Sequence, residues 1–248
     1  MHGVDIAVFF DALAFEDYPF SLEEYRLAYH HLASAVDQRG GTLWIVRGQE
    51  TYRGGQCFEG GWRFSSGTFT RVEGRHHYGR IYNKGHFRGD RGIAIVNDPH
   101  LEELCTNKWE TYCLFRKHCP QTELVRNRGE LPAAARRLCH CARIVAKPRD
   151  GEEGRGIIIG SMEEVCQSVS QFPCILQEFL DTSAGIPALM EGIHDFRMVV
   201  VRGEIVLAFC RTPPPGGLLA NVAQGGSIVP VQYRAIPREA RRIAVDVD

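Results

Sequence analysis

Between Arg143 and Gly160 the chain reads Arg-Ile-Val-Ala-Lys-Pro, then Gly151-Glu-Glu-Gly-Arg-Gly156, then Ile157-Ile-Ile-Gly160. Two short apolar runs on either side of a glycine-rich stretch predict a strand, a loop and a second strand. This is not a Walker A loop, because no Gly-Lys-Ser/Thr opens a helix there. Nor is it a dinucleotide fingerprint, which needs G-x-G-x-x-G between a strand and a helix. A glycine loop between strands is able to fold over phosphates with its backbone N–H groups while Lys147 supplies positive charge. Taken alone, the same residues read equally well as an ordinary hairpin with a solvent-facing lysine.

The surrounding pattern predicts an open sheet at the start of the chain. Residues 6–10 form an apolar run ending at Asp11 and read as a buried strand. Ser21 has the look of an N-cap, with Glu23 and Glu24 in the first turn. A helix over 22–39 would set Leu22, Tyr25, Leu32, Ala35 and Val36 on one stripe, and Gly40-Gly41 would end it. Residues 42–46 supply the next strand, so strand, helix and strand open an α/β sheet. Residues 62–65 and 68–72 alternate about a Ser-Gly turn and predict a hairpin. Further on, the pattern predicts a strand over 93–96, one helix over 101–118, an extended segment over 121–125 and a helix over 131–141. A helix over 162–170, a strand over 175–180, a hairpin about Arg202-Gly203 and a helix over 237–247 complete the reading. The expected domains are 1–100, 101–176 and 177–248.

Composition narrows the function. The chain has 248 residues, 44% hydrophobic and 24% charged, with a net charge of -1. Such a balance gives no electrostatic reason to expect nucleic acid or an anionic membrane as partner. No apolar run approaches the ~20 residues that span a bilayer. The first ten residues carry Asp5 and no basic leader, unlike a signal peptide. Nine scattered cysteines fit a reducing compartment better than a disulfide framework, so a cytoplasmic location is expected. Cys139-His-Cys141, with His118 and Cys119, is a conceivable zinc set, but C-x-C inside a helix would send its thiols to different faces. The region 48–92 is locally basic and aromatic. It reads either as a solvated face or as a docking surface for an anionic substrate.

Taken in order, Lys108, Lys147 with its loop, Gln177-Glu178, Asp195-x-Arg197, Arg211 and Asn221-x-x-x-Gly225-Gly226 resemble the ATP-grasp superfamily. The similarity is greatest to its glutathione-synthetase and ribosomal-protein glutamate-ligase branch, and it covers about half of the chain. The resemblance implies an α/β (α+β) chain: an ATP-grasp fold behind an N-terminal Rossmann-like open-sheet domain. It also implies ATP and Mg2+ as cofactors, and carboxylate and amine small molecules, amino acids or peptides among them, as substrates. Lys108 and Lys147 would then contact ATP phosphates beneath a mobile lid of Gly151, Gly154, Arg155 and Gly156. Gln177, Glu178, Phe179 and Leu180 would hold the adenine, and Asp181 or Glu178 the ribose. Arg197 and Arg211 would stabilise charge on the transferred phosphoryl group, with Asn221, Gly225 and Gly226 completing the cradle.

Two positions depart from the family pattern. Leu219 stands where related ligases often carry arginine. The acidic residue and Glu-x-Asn pair that ligate magnesium in the family are not found before Asp248, so they are expected in a continuation of the chain. The expected activity is acid–amine ligation through an acyl phosphate. A small-molecule kinase and an inactive nucleotide-binding protein are the alternatives; the sequence leaves the oligomeric state open, and the resemblance admits a homodimer.

Overall fold

Strands β1 (Ile6–Phe10) and β2 (Leu43–Arg47) are apolar along almost their whole length, and Ala7 to Phe9 and Leu43 to Val46 are buried on both faces. Such runs suit the centre of a parallel sheet covered on two sides. In the computed structural model, which describes residues 4–97, 99–151, 154–222 and 225–247, they sit at that centre. The chain divides into two units, Met1–Glu103 and Leu104–Asp248.

In the first unit, α1 (Glu23–Asp37) links β1 to β2, and β3 (Cys57–Ser65) and β4 (Thr68–His77) form the hairpin expected from the alternation. Ser66 and Gly67 turn it with φ of 51° and 79°, the left-handed pair that a two-residue hairpin requires. Then follow β5 (Arg80–Asn83) and β6 (Ile95–Val96), giving the order β4-β3-β2-β1-β5-β6. The chain leaves β1 toward β2 on one side and returns as β5 on the other, both parallel to it. This is the Rossmann-like open sheet that the resemblance implies.

Helix α1 is rotated from the expected stripe. Leu22, Tyr25 and Leu32 are exposed, whereas Tyr29 and Ala33 are buried. Phe20, just ahead of the helix, fills the core, and Tyr29 packs against Phe10 and Phe20 with ring centroids 5.5 and 5.2 Å away. That aromatic cluster outweighs the leucines in setting the helix's rotation. The N-cap is Leu22, without a side-chain bond, and not Ser21. Arg47, also buried, donates to the carbonyls of Ala12, Phe15, Asp17 and Tyr18 and so ties down the loop after β1.

The stretch expected as one helix over 101–118 is two. After α2 (Pro99–Thr106), Asn107 leaves helical geometry and its side chain accepts from the N–H groups of Trp109 and Glu110, capping α3 (Lys108–Leu114). A cap of this kind contributes about 1 kcal/mol. Asn-x-x-Glu over 107–110 is a start signal that periodicity alone overlooks.

A second sheet follows, built from β7 (Thr122–Val125), β8 (Ile144–Pro148), β9 (Ile158–Gly160) and β10 (Cys174–Glu178) in the antiparallel order β7-β10-β8-β9. Helices α4 (Leu131–Arg137) and α5 (Met162–Ser168) cover one face, packing Leu131, Ala134, Leu138 and Val165 on Ile144, Ala146, Cys174 and Leu176. Alternation then turns Thr122, Lys147 and Gln177 to the other face. Helix α4 ends at Arg137, so Cys139 and Cys141 lie beyond it rather than inside a helix, and α5 stops at Ser168.

The third sheet comprises β11 (Asp195–Val201), β12 (Glu204–Thr212) and β13 (Ser227–Pro230), the last not anticipated from the sequence. Phe196, Met198, Ala208 and Cys210 face a core completed by Val231, Ile236 and Ala240 of the closing helix α6 (Arg238–Val247). Asp195, Arg197 and Arg211 therefore point the opposite way. Among the described residues no helix is long and apolar enough to cross a membrane.

Candidate functional site

Within the second unit, charged side chains from both sheets converge on one cleft of about 420 Å3. From the four-stranded side come Lys108, Lys147, Gly151, Gly154 and Arg155, and from the three-stranded side Arg197, Arg211 and Asn221. Three segments far apart in sequence thus supply cations to one space.

The Asn107 cap sets Lys108 in the first turn of α3. Its N–H donates to the Arg149 carbonyl at 3.0 Å and its Nζ to the Gly151 carbonyl at 2.5 Å. Both bonds fasten it to the leading stem of the glycine-rich loop. Glu152 and Glu153 of that loop lie outside the described residues. Lys147, at the end of β8, donates to Gln177 Oε1 at 2.7 Å. Burial, and then the positive charge of Lys108, hold the Lys147 ammonium below the ordinary lysine pKa, with Cys119 acting in the opposite sense.

On the other wall, Asp195 accepts from Arg211 and, at 3.1 Å, from Arg197. Burial by itself would raise this carboxyl, but hydrogen bonds and charge from the two arginines outweigh it and leave it below the usual aspartate range. Arg211 is mostly buried, and its Nε has no hydrogen-bond partner among the described residues. An unsatisfied buried donor costs about 1–3 kcal/mol, a penalty that an incoming anion's oxygen would remove.

Among the described residues, neither this cleft nor the cavity beside it is lined by Gln177, Glu178, Phe179, Leu180, Asp181, Gly225 or Gly226. Gly156 borders an adjoining cavity of about 600 Å3 that Lys147 and Arg155 also line. Gln177 touches Lys147. The N–H groups of Glu178 and Phe179 are bonded within the fold, to the carbonyls of Gln121 at 2.9 Å and Arg143 at 3.2 Å. Leu180 is exposed, and the Asp181 carboxylate accepts from the Ser183 N–H. Gly225 and Gly226 donate inside their own turn, to the carbonyls of Val222 and Asn221.

Chemically, two lysines and three arginines lining one cleft make a receptor suited to a polyanion such as a triphosphate. Fixed positive charge aimed at phosphoryl oxygens is the principal catalytic need of phosphoryl transfer. The arrangement fits ATP. Among the described residues no three His, Cys, Asp or Glu side chains converge as a metal-ligand group. Thr122 is linked to Lys147 through Gln177, which donates to its hydroxyl at 2.7 Å, and no sequence signal marked it. Only the pairing of β7 with β10 brings it there.

The sequence profile of the RimK-like ATP-grasp domain matches residues 105–248. The chain is 32% identical over 149 residues to the glutathione synthetase of Prochlorococcus marinus (strain MIT 9313), across 57% of this chain and 44% of that protein. It is 29% identical over 110 residues to a probable alpha-L-glutamate ligase of Parasynechococcus marenigrum (strain WH8102), across 42% of this chain and 21% of that protein. These alignments span less than half the length of either relative. In fold it is similar to D-alanyl-alanine synthetase A from Vibrio cholerae, with a TM-score of 0.59 at 9% identity, over 100% of this chain and 79% of that one.

Proposed function

The chain belongs to the RimK-like ATP-grasp family, and we propose that it uses ATP to join a carboxylic acid to an amine through an acyl phosphate. The observation that carries this reading is the single cleft fed with cations from both sheets. Lys108 and Lys147 hold the phosphate tail, and Gly151, Gly154, Arg155 and Gly156 form the lid that closes above it. Gln177 and the segment through Leu180 take the adenine, with Glu178 or Asp181 at the ribose.

A carboxylate oxygen of the acid attacks the γ-phosphorus while the bond to the β-phosphate oxygen breaks and ADP leaves. Arg197 and Arg211 face the charge that builds on the transferred group, and Asn221 borders the same space. The amine then attacks the acyl carbon, phosphate departs, and the nitrogen loses its extra proton to give the amide. Excluding water matters because an acyl phosphate hydrolyses readily, and a closed glycine-rich loop does so.

Magnesium would accompany ATP and neutralise part of its phosphate charge. Amino acids or short peptides are the acid and amine, in keeping with relatives named for glutathione and glutamate ligation. A cytoplasmic homodimer that binds neither nucleic acid nor membrane completes the proposal. ADP release that requires both an acid and an amine is the test. Stable phosphorylated acid formed without any amine would point instead to a kinase, and ATP binding with no turnover to an inactive binding protein.

A further inference from the structure

Three adjacent strands place Thr122, Gln177 and Lys147 in a row on one face. Thr122 is directly opposite Gln177 across the β7–β10 pair, and Lys147 is diagonal to Gln177 on β8. Thr122 is 2% exposed, so its hydroxyl must find its partners within the protein. Its oxygen donates to the Pro120 carbonyl at 2.9 Å, and Gln177 Nε2 donates to the same oxygen at 2.7 Å. Gln177 Oε1 then accepts from Lys147 Nζ at 2.7 Å.

Donor and acceptor counting fixes the direction of this chain. A threonine hydroxyl has one proton, and the Pro120 carbonyl takes it. Thr122 is therefore left only as an acceptor, which draws the NH2 side of the Gln177 amide toward it. The oxygen side must then face Lys147. An ammonium donates and never accepts, so the reverse orientation would set two donors against each other. A hydroxyl two strands away thus decides which atom of Gln177 the lysine meets.

We propose that Thr122 is a positioning residue for nucleotide binding: it holds the Gln177 amide with its oxygen toward Lys147, keeping that ammonium charged and aimed into the cleft. This rests on the reading of the cleft as the ATP phosphate site. The other groups around Lys147 are Lys108 on α3, Cys119 ahead of β7, Arg155 of the loop, and Arg197 and Arg211 of the facing sheet. Substitution of Thr122 alters none of their charges.

The test reads Lys147 in nucleotide-free protein, by competitive acetylation with acetic anhydride followed by peptide mass spectrometry, alongside titration with ATP. T122V keeps shape and removes the hydroxyl. It is expected to raise the acetylation rate of Lys147 at fixed pH about tenfold and weaken ATP binding by a similar factor, as for loss of a hydrogen bond to a charged group. T122S restores the hydroxyl and should match the wild type in both. Q177M removes the acceptor itself and reads the same quantity should T122V not fold. Adding T122V to Q177M should change nothing further, because Thr122 acts only through Gln177. Wild-type labelling of T122V, a T122S that behaves like T122V, or additive effects in the double variant would overturn the inference. Failure of wild-type protein to bind ATP, with the labelling pattern intact, would overturn the proposed function and leave the orientation of Lys147 by Thr122 standing.

Discussion

The ammonium of Lys108 donates to the carbonyl of Gly151 at 2.5 Å, so the lysine proposed to bind phosphate also holds the leading stem of the glycine-rich loop. Its backbone N–H holds the same stem through Arg149, a tie that a side-chain substitution leaves in place. Lys108→Met is expected to weaken ATP binding about 10- to 100-fold, the scale of losing a charge-assisted contact. The nucleotide-free variant should also be cut faster by trypsin after Arg149 and Arg155. Its stability should stay within about 0.5 kcal/mol of the wild type, since no core contact changes. Unchanged cleavage would show that the bond to Gly151 does not restrain the loop.

Asp195 organises the opposite wall, and its loss is read through pH. Asp195→Asn keeps the shape but removes the charge shared by Arg197 and Arg211, and is expected to cost about 1–2 kcal/mol near neutrality for a partly buried pair. Because the folded carboxyl titrates below its unfolded value, the unfolded chain binds more protons between the two values, and stability rises with pH there. The contribution is fully present above the ordinary aspartate pKa of about 3.9 and is lost as pH falls through the folded value. Urea unfolding of both proteins should therefore show a constant gap from pH 7 to about 5 that narrows in more acid solution. A gap that widens in acid would contradict the pairing.

The parts legible in the sequence and the parts hidden from it differ in a physical way. The strand–loop–strand around Lys147 and the hairpin at Ser66-Gly67 are set by neighbours in the chain, and local patterning exposes them. The break at Asn107 was also locally written, as a cap, yet the apolar period running through 101–118 masked it. Helix α1 was misoriented because its rotation depends on Phe20 meeting Tyr29 and Phe10, a tertiary choice among several apolar stripes. Four exposed residues form β13, so no burial pattern marked it. Thr122 was invisible for a related reason: its importance is a cross-strand register, and register is absent from a linear reading.

Lys147 gives a second pH signature, on binding. Burial and the charge of Lys108 favour its neutral form, so the folded protein releases this proton at lower pH than the unfolded chain. Between the folded value and the unfolded one of about 10.4, stability accordingly rises with pH, whereas ATP binding through the ammonium, as proposed, is expected to fall. Phosphate oxygens favour the charged form, so ATP binding should take up a proton through the alkaline limb. Calorimetric titrations in buffers of different ionisation enthalpy measure that uptake. Lys147→Arg stays charged throughout and should abolish the limb while binding more weakly, because a guanidinium does not match the ammonium's geometry. A wild-type affinity that stays independent of pH up to the ordinary lysine pKa would sink the assignment.

Gly226 and Gly225 are adjacent, yet they should respond differently to alanine. A Cβ on Gly226 would meet the carbonyl oxygens of Asn221 and Thr212 at 2.9 Å and of Ala220 at 3.0 Å, all backbone atoms that cannot swing aside. The turn would have to open, and Asn221, which lines the cleft, would move with it. At Gly225 nothing among the described residues lies within 4 Å, and the obstacle there is the φ of 86°, a strain of about 1–2 kcal/mol for an alanine. Gly226→Ala is thus expected to lower ATP-dependent turnover about 10- to 100-fold, as displacement of a positioned group by about 1 Å does. Gly225→Ala should lower stability by about 1–2 kcal/mol and leave turnover within about threefold of the wild type. Steady-state kinetics with urea unfolding of both variants would separate the two effects. Equal losses of turnover would mean that the close packing about Gly226 does not set the position of Asn221.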